Sequence, residues 1–551
     1  MATKIDDFAP FPVKDQLPGV EYCVSSSPNW PEAIVQGFQH YIVMLGTTVI
    51  IPSILVPLMG GGDVQKAEVI NTVLFVSGIN TLLQSLFGSR LPVVIGASYA
   101  YVIPALYITF SYRFTYYLHP HLRFEETMRA IQGALIIASI CHMVMGFFGL
   151  WRILVRFLTP LSAAPLVILT GVGLVVLAFP QLARCVEIGL PALIILIILS
   201  QYLPHLFKCK RSICEQFAVL FTIAIVWAYA EILTAAGAYD KRPDSTQLSC
   251  RTDRSGLIGA SPWVKVPYPL QWGRPSFHGS DAFAMMAASY VAIVETTGSL
   301  IAASRFGSAT HIPPSVLSRG IGWQGIGVLL NGLFGTATGS TALVENSGLL
   351  GLTKVGSRRV VQISAAFMIF FSIFGKFGAV LASIPLPIFA ALYCVLFAYV
   401  GLGLLQFCNL NSFRTKFILG FSIFIGLSVA QYFTEYLFIS GRGPVHTRTS
   451  AVSEHVKVHI TTLIFVVLCT DSFLFGMAKF NVIMQVIFSS AATVGIMAAF
   501  LLDCTHSYGH DSVRRDSGRH WWEKFRIYYT DTRTEEFYAL PYNLNRFFPS
   551  F

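Results

Sequence analysis

Hydrophobic and polar residues fall along this chain in long blocks, not with the short periods of a soluble helix or strand. Apolar stretches near the roughly 20 residues that cross a bilayer lie at 35–57, 67–88, 93–110, 130–151, 158–178, 187–206 and 215–236. A polar stretch from Ala238 to Asp281 follows. A second series lies near 282–303, 316–335, 339–352, 360–382, 385–406, 415–433 and 480–502. The pattern predicts an all-α polytopic membrane protein with seven plus seven spans. Another apolar run, Ile460 to Met477, is interrupted by Asp471 and Ser472. A crossing there would invert the last span, so 452–478 is expected to be an insertion that stays at the outer surface or interface.

The two series read as repeats. Their first spans begin about 245 residues apart, as do their third spans, which are both short and broken. One break is Val94-Ile95-Gly96-Ala97-Ser98-Tyr99-Ala100, preceded by Pro92, and the other is Gly335-Thr336-Ala337-Thr338-Gly339-Ser340-Thr341-Ala342. Interrupted segments at matching places in two halves point to a transport site. The alternative is that Gly and Ser simply allow close helix packing.

The expected division is 1–30 as a cytoplasmic N-terminal segment and 31–237 as the first repeat. Then follow 238–281 as an extracellular loop, 282–503 as the second repeat and 504–551 as a cytoplasmic tail. Charge supplies the orientation. With an inside N-terminus, the short inner loops hold Arg90, Arg152, Arg156, Lys208, Lys210, Arg211, Arg305, Lys354, Arg358, Arg359, Arg414 and Lys416. The short outer loops hold only Lys66, Arg113, Arg123, Arg129 and Arg184, the bias of the positive-inside rule. The first thirty residues lack an apolar core, so no cleavable signal is expected.

Composition fits this class: 54% of the 551 residues are hydrophobic and only 12% charged, too few to cover a soluble surface. The net charge of +10 is scattered over loop ends, which argues against a nucleic-acid partner. The ten cysteines show no paired spacing, so neither a disulfide framework nor a metal site is expected. No nucleophile–base set appears, so neither enzymatic chemistry nor a cofactor is expected.

Few ionisable residues lie deep in the spans: His40, His142, Glu231, Glu295, Glu345 and Lys376. An acidic residue at a helix centre costs roughly 2.5 to 3.5 kcal/mol on insertion scales, which makes it a functional candidate. Glu345 begins the run Glu345-Asn346-Ser347-Gly348, which continues to Thr353-Lys354, and Glu295 sits mid-span in Val294-Glu295-Thr296-Thr297-Gly298. Two carboxylates in one bundle suit a ligand with N–H donors and a proton as coupling ion. A carboxylate that merely fixes helix packing is the alternative for Glu295. Gln39-His40 reads equally as an interhelical clamp or a ligand contact. His142 and Glu231 read as packing contacts, and Lys376 as reaching an interface.

The run from Glu345 to Lys354 resembles the signature of the nucleobase–ascorbate transporter family, in which Gln, Glu or Pro precedes Asn-x-Gly-x4-Thr-Arg/Lys. Gln39-His40 is similar to that family's first-span motif and Glu295 to its Glu before a Gly. The tail segments Trp521–Phe525 and Arg533–Pro541 look like the plant branch. The resemblance implies a plasma-membrane, homodimeric symporter built as an inverted repeat. A core of spans 1–4 and 8–11 would move past a gate of spans 5–7 and 12–14. Glu295, Glu345, Ser98 and Tyr99 would bind a nucleobase, while Asn346, Gln39, His40, Gly348 and Thr353 would support the site or its coupling. Ser299 stands where many proton-coupled relatives have an acid or His. The implied activity is proton-coupled import of a xanthine, uric acid or uracil type of base. The alternatives are sodium-coupled ascorbate uptake, whose branch has Pro-Asn at 345–346, and an anion exchanger or channel.

Overall fold

The computed structural model describes residues 19–547, apart from 446–479, 506–536 and short stretches at 115, 118, 156–157, 207–212, 254–256, 311, 403–404, 406–407, 409 and 441–443. The expected insertion at 452–478 therefore lies outside the described residues.

Outside spans 3 and 10, each remaining apolar block has become helix. Span 1 is Trp30–Met59, span 2 Asp63–Leu86, span 4 Pro120–Phe147, span 5 Pro160–Val172 and span 7 Ala218–Ala235. Span 6 is Val186–Ile197, continued by a π-helical turn over Ile198–Tyr202. In the second set, span 8 is Gly279–Phe306, span 9 Pro314–Phe334, span 12 Leu386–Leu402 and span 13 Phe413–Ser440. Two blocks that read as single spans are sharply bent. Span 11 is Arg358–Ile373 with Gly375–Ala382, turned by 109°, and span 14 is Phe480–Phe488 with Ala491–Thr505, turned by 85°. Span 4 starts ten residues before its hydropathy begins, because its first turns hold Glu125, Glu126 and Arg129. Arg129 pairs with Glu126 at 2.6 Å on that helix.

Spans 3 and 10 are where the chain stops being helical. Ile95–Ala97 (β1) and Ser340–Ala342 (β2) pair antiparallel, with Ile95 opposite Ala342 and Ala97 opposite Ser340. Each strand then passes into a short helix, Val102–Thr109 and Val344–Thr353. Backbone at bilayer depth must find partners within the protein. The strands supply these for each other, and helices supply the rest. Thr81 of span 2 accepts from Ile95 N at 3.0 Å, Thr296 of span 8 accepts from Ala342 N at 3.2 Å, and Gln324 of span 9 donates to Ser340 O at 2.9 Å. The antiparallel crossing of the same element from each half gives the inverted repeat a visible centre.

Helix packing divides the molecule as the resemblance implies. Spans 1, 2, 4, 8, 9 and 11 pack mainly on one another around the two strands, and spans 5, 6, 7, 12, 13 and 14 form the second group. Span 10 meets span 12, and span 8 meets spans 5 and 14, where the groups touch.

The expectation of no disulfide is corrected: Cys185 and Cys250 are bonded. They lie 65 residues apart, one before span 6 and one in the loop helix Asp244–Cys250, so no local spacing announced them. The loop is fastened along its length. Thr252 donates to Glu231 at 2.6 Å; that carboxylate, expected deep in the bundle, is exposed near the end of span 7 and ties the loop to the helix. Further on, Lys265 pairs with Glu68 of span 2 at 2.5 Å, and Trp272 donates its indole N–H to Gly335 O at 3.0 Å. Lys376 donates to the carbonyls of Ile258 and Gly259, so it meets the loop. His142 is buried beside Gln324.

Candidate transport site

The two acids lie where core and gate touch, Glu345 on the broken span 10 and Glu295 on the continuous span 8. Glu345 is the second residue of the helix Val344–Thr353 and is buried. Its place in the first turn is favourable, because unpaired N–H groups and the positive dipole end lie there. Thr47 of span 1 donates to it at 2.7 Å. Glu295 lies mid-way along span 8 and retains partial exposure. Ser490, at the bend of span 14, donates to it at 3.1 Å. The first carboxylate is thus held within the core, and the second is held by the gate. Among the described residues, each has this one side-chain hydrogen bond.

Ser98 and Tyr99 follow β1 directly. The Ser98 carbonyl accepts from Thr338 at 3.0 Å, its N–H donates to Gly339 O at 3.1 Å, and its hydroxyl caps the Ala100 N–H at 3.3 Å. Tyr99 lies within electrostatic reach of Glu345, and its hydroxyl is buried without a hydrogen-bond partner among the described residues. Ser299, one turn along span 8 from Glu295, is also fully buried, its hydroxyl without a partner among the described residues.

Asn346, next to Glu345, also reaches span 1. Its amide donates to His40 Nδ1 at 3.1 Å and to His40 O at 2.9 Å. Gln39 donates to Gln216 O at 3.2 Å, beside Glu215, which pairs with Lys354 at 2.6 Å. The Gln39-His40 motif therefore sits in the geometry of an interhelical clamp. Gly348 lies where span 10 touches the gate; a Cβ there would come within 2.2 Å of Leu396 O. Thr353 bonds back to Leu349 O at 2.8 Å, and Lys354 then ends the helix in the left-handed region at φ 58°.

Sequence reasoning missed Thr47, Ser490 and Tyr393. Tyr393 of span 12 is fully buried and donates to Val43 O of span 1 at 3.4 Å. It fits only because position 46 is glycine: a Cβ there would lie 2.0 Å from the tyrosine oxygen. The one available signal was the polar pair Ser489-Ser490 inside an apolar block.

Residues 31–435 match the model of a permease family. Nucleobase-ascorbate transporter 4 of Arabidopsis thaliana is 90% identical over 554 residues, covering 100% of both chains. The chain belongs to the nucleobase–ascorbate transporter family. Nucleobase-ascorbate transporter 6 of the same plant is 58% identical over 100% of this chain and 98% of its own. The Zea mays member named LPE1 is 56% identical over 99% of each. Among solved structures, SLC26A9 aligns with 76% of this chain and 63% of its own at 13% identity and a TM-score of 0.47. The transmembrane domain of the cyanobacterial bicarbonate transporter BicA aligns with 72% of this chain and 96% of its own, at 13% identity and 0.44. Both scores are too low for a shared fold to follow. As a nucleobase–ascorbate transporter family member with apolar spans throughout, the protein is a multi-pass membrane transporter and not an enzyme.

Proposed function

We propose that this transporter imports nucleobases of the xanthine, uric acid or uracil class across the plasma membrane by proton symport, both termini being cytoplasmic. The supporting observation is the pair of carboxylates, Glu295 and Glu345, each with a single hydroxyl partner at the core–gate junction. A planar base offers N–H donors to both acids and a carbonyl acceptor to the Tyr99 hydroxyl, which is buried without a partner among the described residues. In this reading the core group moves past the gate group in an elevator-type cycle, and gate groups of two copies meet in a homodimer. Protonation of an acid would accompany each base. Ser299 offers a hydroxyl but no titratable group, so the coupling falls to the two glutamates and His40.

Uptake of radiolabelled xanthine by cells expressing the chain, with unlabelled bases and ascorbate as competitors, tests the reading. Saturable uptake that is inhibited by bases, rises as external pH falls and is indifferent to replacing sodium with choline is the expected result. Sodium-dependent ascorbate uptake unaffected by bases would overturn it.

A further inference from the structure

Two arginines at the ends of core helices each hold two backbone carbonyls. Arg319 of span 9 donates from Nε to Gly88 O at 2.7 Å and from Nη2 to Tyr538 O at 2.9 Å. Arg358, at the start of span 11, donates from Nε to Arg90 O at 2.8 Å and from Nη2 to Phe537 O at 2.9 Å. Gly88 and Arg90 form the turn that joins span 2 to β1, and Phe537-Tyr538 are consecutive residues of the C-terminal tail. The guanidiniums are rungs between tail and turn. Arginine is suited to this, since its rigid fork presents several fixed donors where lysine has one mobile head.

The tail is plugged in as well as bridged. Phe537, Tyr538 and Leu540 are buried, and the Tyr538 hydroxyl donates to Thr310 O at 2.6 Å, just before span 9. Leu540 N donates to Asn545 Oδ1 at 2.8 Å and closes the segment on itself. The turn on the other side needs support: Arg90 has φ 59°, a conformation that costs a non-glycine residue energy. It lies five residues before β1, which leads to Ser98 and Tyr99. The tail also changes allegiance. It follows span 14, a gate element, yet the arginine bridges and the Tyr538 hydroxyl bond all go to core residues.

We infer that Phe537–Leu540 is an intramolecular ligand of the core group. Its docking fixes the Gly88–Arg90 turn, and through it β1 and the Ser98-Tyr99 side of the site, so the transport rate depends on whether the tail is seated. The uptake arm of the test rests on the transport reading above; the exchange arm does not.

Hydrogen exchange of the purified full chain in detergent, read by mass spectrometry, is the direct measurement. Amides of 537–540 and of 88–91 should both be protected in the native protein. Arg319→Lys keeps the charge but loses the fork, and Tyr538→Ala empties the plug. Both should speed exchange at least tenfold in the tail and in the turn, with span 4 unchanged and uptake Vmax lowered more than KM. Tyr538→Phe, which keeps the apolar plug, should give an intermediate increase and guards against a folding failure. Tail amides that exchange in the native chain as fast as an unstructured peptide would overturn the docking. Faster tail exchange in the variants, with unchanged turn protection and normal uptake, would overturn the coupling.

Discussion

Asn346 of span 10 reaches His40 of span 1 with one amide group and holds both the ring nitrogen and the backbone carbonyl, at 3.1 and 2.9 Å. Two motifs that lie 306 residues apart in sequence are thus one device. Its work is to set the short helix bearing Glu345 at a fixed height against span 1. Neutral hydrogen bonds of this kind contribute about 0.5 to 1.5 kcal/mol each. Asn346→Ala and His40→Ala should therefore each lower the melting temperature in detergent. The double variant should cost clearly less than the sum of the two. Strict additivity would show that the pair does not act together.

Glu295→Gln and Glu345→Gln remove charged acceptors. A hydrogen bond to a charged group is worth about 1.5 to 3 kcal/mol, so each substitution should weaken base uptake at least tenfold at normal surface abundance. Thr47→Val and Ser490→Ala, which leave the acids in place, should have smaller effects. Competition binding on isolated membranes separates affinity from turnover. Native affinity in both glutamine variants would remove these acids from the site.

Gly46 and Tyr393 make a steric prediction. Gly46→Ala sets a methyl against the tyrosine hydroxyl and should sharply reduce both thermal stability and uptake. Adding Tyr393→Phe removes the oxygen that is 2.0 Å from the added carbon but leaves the ring carbon at 2.8 Å. Partial recovery is the expected outcome, measured on matched expression levels. No recovery would place the damage elsewhere in span 1.

The Cys185–Cys250 bond closes a loop of 65 residues. In the chain-entropy account such a closure stabilises by about 4 kcal/mol at most. Cys185→Ser, Cys250→Ser and the double variant should lose the same amount of thermal stability. A membrane-permeant reductant should bring the native protein to that level and leave the variants where they are. A single-cysteine variant as stable as the native chain would mean the bond does not form in solution.

Much of the architecture was readable because membrane insertion is a local property. A block of twenty apolar residues declares itself without knowledge of its neighbours, and the breaks at 94–100 and 335–342, with their small and polar residues, marked where helix could not continue. Glu295 and Glu345 stood out by the same logic, as charges where charge is expensive. What escaped notice depends on distant partners. Ser490 meets Glu295 across 195 residues and Thr47 meets Glu345 across 298. A serine or threonine in an apolar block is ordinary until its partner is known. The bend in span 11 left no hydropathy signature either, since both arms are apolar. The early start of span 4 was hidden because its first turns carry charged residues, which read as loop in hydropathy.

The long loop between spans 7 and 8 has a mechanical consequence. Thr252 is bonded to span 7, while the small helix Leu257–Ala260 rests against spans 2 and 11. Only five peptide links separate those anchorages, and at roughly 3.3 to 3.6 Å each they reach about 17 Å when fully drawn out. The loop is a leash of known length. Any stroke of one half-body against the other must fit within that length on this face, or else the small helix must let go of its berth.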